Sequence, residues 1–260
     1  MRLLVTNDDG IASVFLHELT RALLAAGHEL FVAAPKTEQS WIGAAKSRNR
    51  PVHAERADRG LGCPTWIVDG TPSDAVNIAL DHLLPADARP EAVISGINVG
   101  GNCTLGFILA SGTVAGAWEG VLHGLPALAV SQEVFAGTYE QLKEHGGAPD
   151  ADLVATVKVS AAHVARLAPG FFAATPRNSF ILHNLNFPCP CRADTPVRRT
   201  VPALVHVPAL FARSADDGLH RLRWGEIRDV SPAAPLTDIA CVKQGEISHS
   251  ILDYTKLGQP

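Results

Sequence analysis

The sequence predicts an α/β fold: a Rossmann-like, open, mainly parallel sheet with helices on both faces, followed by a C-terminal β-rich arm. Three observations carry this. Short apolar runs alternate with amphipathic segments of helical period through the first two thirds of the chain. The first strand, helix and strand fit within about 35 residues as a βαβ unit, whose crossover is right-handed. Beyond Pro188 the helical period gives way to prolines and β-branched residues. The expected division is residues 1–188 for the core and 189–260 for the arm.

Taken in order, Arg2–Thr6 (RLLVT) is a buried strand that ends in the turn residues Asn7-Asp8-Asp9-Gly10. Val14–Ala26 places Phe15, Leu19, Leu23 and Ala26 on one helical face and stops at Gly27, a normal residue just past a helix end. Glu29–Ala34 is a second buried strand closed by Pro35. The alternation continues with a strand at Thr65–Val68, a helix at Ser73–Leu84 behind Pro72, and a strand at Ala92–Ser95. A helix at Thr113–His123, a strand at Ala127–Ser131, a helix at Asp152–Leu167 and a strand at Phe180–Leu185 complete the core. In the arm, short strands are expected at Ala203–Val207, Leu219–Trp224 and Ala240–Val242, while Ile247–Leu257 has no clear pattern.

Composition narrows the function. Among 260 residues, 22 Lys+Arg against 26 Asp+Glu give a net charge of −4, which supplies no electrostatic ground for binding nucleic acid or an anionic membrane. Only 18% of residues are charged, below the ~25% of an ordinary domain. The deficit is local: Ala92–Trp118 holds no charged residue. A membrane span is excluded there, because six glycines and several Ser, Thr and Asn residues interrupt a stretch that would need ~20 apolar positions. The N-terminus lacks a signal-peptide pattern, so a cytoplasmic protein is expected. Five cysteines, an odd number, argue against a disulfide framework, and Cys189-Pro-Cys191 lacks zinc-knuckle spacing.

In an open α/β sheet, ligands bind beyond the carboxyl ends of the strands. Three such loops carry polar groups: Asn7-Asp8-Asp9-Gly10, the segment from Pro35 to Gly43 with Ser40, and Gly96 to Asn102 with Asn98. Two adjacent carboxylates repel unless a proton or cation lies between them, and an all-oxygen donor set suits Mg²⁺ or Mn²⁺. Turn chemistry alone also explains Asp8-Asp9-Gly10; agreement among three loops favours the metal. Ser111-Gly112-Thr113 stands before a helix, where free amides and hydroxyls form an anion site, although capping explains the same residues. A dinucleotide fingerprint and a Gly-x-Ser-x-Gly elbow are absent.

Val5-Thr6-Asn7-Asp8-Asp9-Gly10, Ala34-Pro35 with Glu38-Gln39-Ser40, Asp69-Gly70-Thr71-Pro72-Ser73-Asp74, Ser95-Gly96-Ile97-Asn98, Ser111-Gly112-Thr113-Val114 with Glu119-Gly120, and Gly124-Leu125-Pro126-Ala127 together resemble the SurE survival-protein family. A weaker echo runs from Leu236-Thr237-Asp238 to Ser248. The resemblance implies a metal-dependent phosphatase acting on nucleoside monophosphates. Asp8, Asp9, Ser40 and Asn98 would hold the divalent metal, Mg²⁺ or Mn²⁺, with Asp8 or Asp9 as catalytic base. Ser111, Gly112 and Thr113, with Asn98, would hold the phosphate. It also implies a dimer or tetramer whose C-terminal segments reach a neighbouring subunit.

Two stretches depart from the family pattern. Ala12-Ser13-Val14-Phe15 replaces the usual residues after the acidic turn, and Cys103 to Ala110 lacks the acidic residue and the Tyr normally found before Ser-Gly-Thr. That second departure motivates an alternative: a nucleotide- or metabolite-binding protein of the same fold without turnover. Trp41, His17, His28, His183, His249, Arg48 and Arg50 take structural or solvated readings.

Overall fold

The computed structural model of the chain describes residues 1–135, 137–143, 148–213, 218–223 and 227–258. The core alternates as expected: β1 (Arg2–Thr6), α1 (Val14–Ala25), β2 (Glu29–Pro35), β3 (Ala54–Arg56), β4 (Thr65–Val68), α2 (Pro72–Ile78), β5 (Ala92–Val99), α3 (Leu105–Ala110), α4 (Gly112–Leu122), β6 (Ala127–Gln132), α5 (Thr138–Lys143), α6 (Ala151–Ala174) and β7 (Ile181–Phe187). Then follow β8 (Val197–Thr200), β9 (Val205–His206), β10 (Phe211–Arg213), β11 (His220–Leu222), β12 (Arg228–Asp229), α7 (Asp238–Lys243) and β13 (Ile247–Asp253).

Nine strands form one sheet in the order β3-β4-β2-β1-β5-β6-β7-β13-β8. Pairing from β4 through β7 is parallel; β3 with β4 and β13 with β7 are antiparallel, and β8 joins β13 in parallel. Two antiparallel ribbons, β10 with β11 and β9 with β12, stand outside the sheet.

The period-two alternation of strand residues sorts the core into two layers. Leu3, Val5, Leu30 and Val32 face one side, buried with Phe15, Leu19 and Leu23 of α1 and Leu153, Val157 and Val164 of α6. Leu4, Phe31, Ala33 and Val93 face the other, with Val76 of α2 and Val114, Ala117 and Val121 of α4. Because β1 lies between β2 and β5, the chain turns one way after β1 and the other way after β4. This makes the carboxyl end of β1 and β5 the topological switch point.

Helix α4 sits unusually close to the sheet. A Cβ on Gly116 would lie 2.9 Å from Ser95 Oγ, and one on Gly120 2.5 Å from Val93 Cγ2. Only hydrogen at both positions allows this approach.

The structure corrects one expectation in the arm. Ala240–Val242 is helical within α7, not a strand: the Thr237 hydroxyl accepts from the Ala240 amide, Asp238 sits in the first turn and Lys243 in the last. Of the strand expected at Leu219–Trp224, His220–Leu222 forms β11, and Trp224 lies outside the described residues. Ile247–Asp253, without a clear pattern in sequence, is a sheet strand, as is Val197–Thr200. The helix at Ser73–Leu84 begins at Pro72, capped by Thr71 and Asp74, and changes to a π-helical turn over Ala79–Leu83.

Candidate active site

The loop after β1 is drawn tight. The Asn7 side chain donates to the Gly10 carbonyl at 2.9 Å, and Gly10 takes φ +89°, which costs a residue without Cβ nothing. The Ile11 amide donates to the Pro35 carbonyl and the Gln39 amide to the Asp8 carbonyl, so the loops after β1 and β2 are fastened together. Asp8 is buried, at 3% exposure, and its carboxylate accepts the Thr113 hydroxyl at 2.6 Å. The Asp9 carboxylate accepts from the Val99 amide at 2.9 Å. Each acid thus accepts from a donor in the β5–α4 region, the charge-poor stretch of the sequence.

Asn98, at the end of β5, donates its side-chain NH₂ to the Gly100 carbonyl at 2.6 Å. That leaves its Oδ1 as the acceptor side of the amide. Asp8, Ser40, Asn98 and Ser111 line one cavity of about 380 Å³ between these loops. The Ser40 amide is held by the Glu38 carboxylate at 2.9 Å.

At the start of α4 the Ser111 hydroxyl accepts from the Val114 amide at 3.1 Å. The amides of Gly112 and Thr113, the first two of the helix, have no intrahelical acceptor by construction, and the positive end of the helix dipole adds to them. A Cβ on Gly112 would lie 2.8 Å from the Gln39 carbonyl and 2.9 Å from Asp8 Cβ. Glycine therefore lets the helix N-terminus press on both acidic and Ser40 loops.

Of the candidate site residues, Asp8, Ser40, Asn98 and Ser111 line the cavity; Asp9, bonded at Val99, and Gly112 and Thr113, which abut Asp8, stand beside it and are not part of its lining. Two carboxylates, a hydroxyl and an amide oxygen are the kind of all-oxygen donors that could hold a hard divalent cation. Among the described residues there is no group of three or more His, Cys, Asp or Glu side chains that could hold a metal.

Three features lie beyond the site residues expected from the motifs. Trp41 and Phe107 meet edge-to-face, with ring centroids 5.5 Å apart, and wall one side of the cavity. Glu133, the first residue after β6, lines the cavity as well, and burial pushes its carboxyl up from the usual range while Lys243 pulls it down. The rule that selected the other loops, looking just past each strand, applies to β6 too and would have reached it. Finally, buried Asp238 accepts from the amides of Thr104, Ala203 and Ile239 at 2.7, 3.0 and 2.7 Å. Burial raises its carboxyl, and the three amides partly offset that rise. The 103–110 segment that departs from the family pattern is thereby anchored to the C-terminal part of the chain, and Leu105–Ala110 within it forms α3. Beneath it, Asn102 is held from both sides: its amide donates to Asn186 Oδ1 at 2.7 Å and its carbonyl accepts from Asn184 at 3.0 Å.

The family model described as survival protein SurE matches residues 3–205. The chain belongs to the SurE family. The relative named 5'-nucleotidase SurE from Prochlorococcus marinus is 36% identical to this SurE chain over 234 residues, spanning 87% of it and 78% of the relative. Another of that name, from Synechococcus sp. strain CC9311, is 43% identical over 148 residues, 56% of this chain and 54% of the relative. The chain thus spans about half the length of several relatives it matches. In fold, this SurE chain resembles the SurE protein of Aquifex aeolicus, with a TM-score of 0.70 over 100% of this chain and 97% of the other at 24% identity. That likeness bears out the mostly parallel sheet with helices and the additional C-terminal strands.

Proposed function

We propose that this SurE protein is a divalent-metal-dependent phosphomonoester hydrolase, a 5'-nucleotidase that releases phosphate from nucleoside monophosphates. The observation that supports this reading is the joining of Asp8 to the start of α4 through Thr113, which holds a carboxylate proposed as a cation ligand beside a helix N-terminus. The names of the relatives support the substrate class. Asp8, Asp9, Ser40 and Asn98 would hold Mg²⁺ or Mn²⁺. When bound, such an ion supplies positive charge against the phosphate and acidifies water.

The chain's own groups do the rest. The amides of Gly112 and Thr113, with the Ser111 hydroxyl and Asn98, receive phosphate oxygens, and the dipole of α4 stabilises the charge that develops there. Asp8 or Asp9 accepts the proton of the attacking water. Both carboxylates are already oriented, by Thr113 and by the Val99 amide, so little reorganisation accompanies the transfer.

Phosphate release from a panel of nucleoside monophosphates, with Mg²⁺, Mn²⁺ and chelator arms, tests the reading. Turnover that needs metal and is abolished by Asp9→Asn supports it; turnover that persists in chelator or in Asp9→Asn overturns it. Nucleotide binding without release would favour the non-catalytic alternative. We also propose a cytoplasmic homo-oligomer in which the part of residues 189–260 outside the sheet, not β8 and β13 within it, acts as an arm. The exposed Phe211 and Leu222 on the β10–β11 ribbon support this, and sedimentation analysis of the full chain against one with both residues changed to Ser tests it.

A further inference from the structure

Two chemically different sets of groups line the cavity. In the first, Asp8 and Ser111 stand at the start of α4, with Asn98 at the end of β5. In the second, Glu133 follows β6, with its backbone amide fixed by the Phe187 carbonyl at 2.9 Å and its own carbonyl accepting from the Gln132 side chain at 2.8 Å. The carboxylate lies against the 100–102 loop in a space that exists only because residue 101 is glycine: a Cβ there would come within van der Waals overlap of Glu133 Oε1. Tyr139 packs on Gly100 in the same way, its ring 3.0 Å from where a Cβ would stand. Two side chains that follow β6 thus use two adjacent glycines to close down on the loop that bears Asn98.

Glu133 makes no hydrogen bond or ion pair through its carboxylate among the described residues, although most of its surface is covered. Its oxygens are not among the buried unpaired atoms and open on the cavity, where water solvates them in the free protein and a ligand N–H or O–H can take the place of that water. A phosphate cannot supply that, being of the same charge sign. A sugar hydroxyl or a base amino group can, and the edge-to-face Trp41–Phe107 pair offers aromatic surface in the same cavity. At about 380 Å³ the cavity falls within the ~300–1,000 Å³ of small-molecule sites, with room for more than a phosphate.

We propose that Glu133 is a specificity-determining residue: its carboxylate accepts a hydrogen bond from a hydroxyl or amino group on the nucleoside half of the substrate. The inference rests on reading the site as a nucleotidase, and its test separates the two. Glu133→Leu removes the acceptor, and Glu133→Gln keeps a neutral acceptor while preserving shape. Each is compared with the unaltered chain on AMP, dAMP and IMP and on p-nitrophenyl phosphate, which has neither sugar nor base amine. The expected result is a rise in KM for AMP of about tenfold or more in Glu133→Leu, a smaller rise in Glu133→Gln, and little change on p-nitrophenyl phosphate. Loss of the effect with dAMP assigns the donor to the 2'-hydroxyl, and with IMP to the base amino group. Equal losses on nucleotide and p-nitrophenyl phosphate, or no change on either, overturn the proposal. If the unaltered chain turns over no nucleotide, the nucleotidase reading fails by itself. Equilibrium binding of AMP against inorganic phosphate then decides Glu133: weaker AMP binding alone in Glu133→Leu upholds its role, and any other pattern, including no AMP binding, refutes it.

Discussion

Thr113 donates its hydroxyl hydrogen to the Asp8 carboxylate across 2.6 Å, joining the first loop of the chain to a helix 105 residues later. Both groups are buried, so the bond acts in a medium that strengthens it and penalises its loss. It ties the direction of one acid to the position of the amides of α4.

Replacing this donor by a methyl of the same shape isolates the contact. Thr113→Val should weaken Mn²⁺ binding or activity by ~10–100-fold, the usual penalty for losing the group that orients a metal-binding side chain. Titration of Mn²⁺ against intrinsic tryptophan fluorescence and against phosphate release would measure it. An unchanged midpoint in both would show that Asp8 needs no such support.

Gly112→Ala should be damaging for a different reason. The added methyl meets the Gln39 carbonyl and Asp8 Cβ inside 3 Å, so α4 must withdraw from the loops. We expect a loss of ~1–3 kcal/mol in stability, the range for overpacking a tight contact, together with a fall in kcat. Urea unfolding followed by circular dichroism, run beside steady-state kinetics, checks both.

Asp238 is predicted to matter to a loop far from it in sequence. Asp238→Ala leaves the amides of Thr104, Ala203 and Ile239 without their carboxylate acceptor. Each orphaned buried donor costs ~1–3 kcal/mol where water cannot reach it. Hydrogen exchange should quicken at Thr104 and through α3 before it does so in β1 or β5. Uniform acceleration across the sheet would instead mean that Asp238 supports the fold as a whole.

The stacked pair His183 and His249 should make stability sensitive to mild acid. Burial lowers the His183 ring to about 4 and the His249 ring to about 3, with Arg199 acting in the same direction on both and His183 itself on His249. Because both folded values lie below the unfolded value, the unfolded chain takes up protons first as pH falls below about 6.5. Stability is therefore present above that pH and is lost toward pH 4, at up to ~1.4 kcal/mol per pH unit for each ring. His249→Phe, which keeps the stack on Phe171, should flatten that limb by up to one ring's share in thermal melts from pH 4 to 7.

Much of this was legible because it is local. The strand-turn sequence of β1 and the acids behind it need no distant partner to be recognised, and the parallel sheet follows from the alternation of short apolar runs with helical ones. Val197–Thr200 and Ile247–Asp253 were not legible as sheet strands, since what makes them so is pairing with each other and with β7. Ala240–Val242 misled because three apolar residues carry no period; the helix is announced by the Thr237 cap and Asp238 instead. In the site, the acids and amides stood out as turn and cap chemistry. Glu133 lay within reach of the rule of looking past each strand, whereas the role of Asp238 did not, as Thr104 and Ala203 reach it from across the fold.

Gly112, Gly116 and Gly120 recur every fourth residue and so share one side of α4, the side laid against β5 and the acidic loop. The spacing between the helix start and the carboxylates is accordingly a dimension set by three missing side chains, two of them remote from any ligand. A single methyl at residue 120 would act as a shim beneath a lever. It would tilt the amide end of the helix without touching a polar group, and the damage would register as poor alignment during turnover and not as a lost contact.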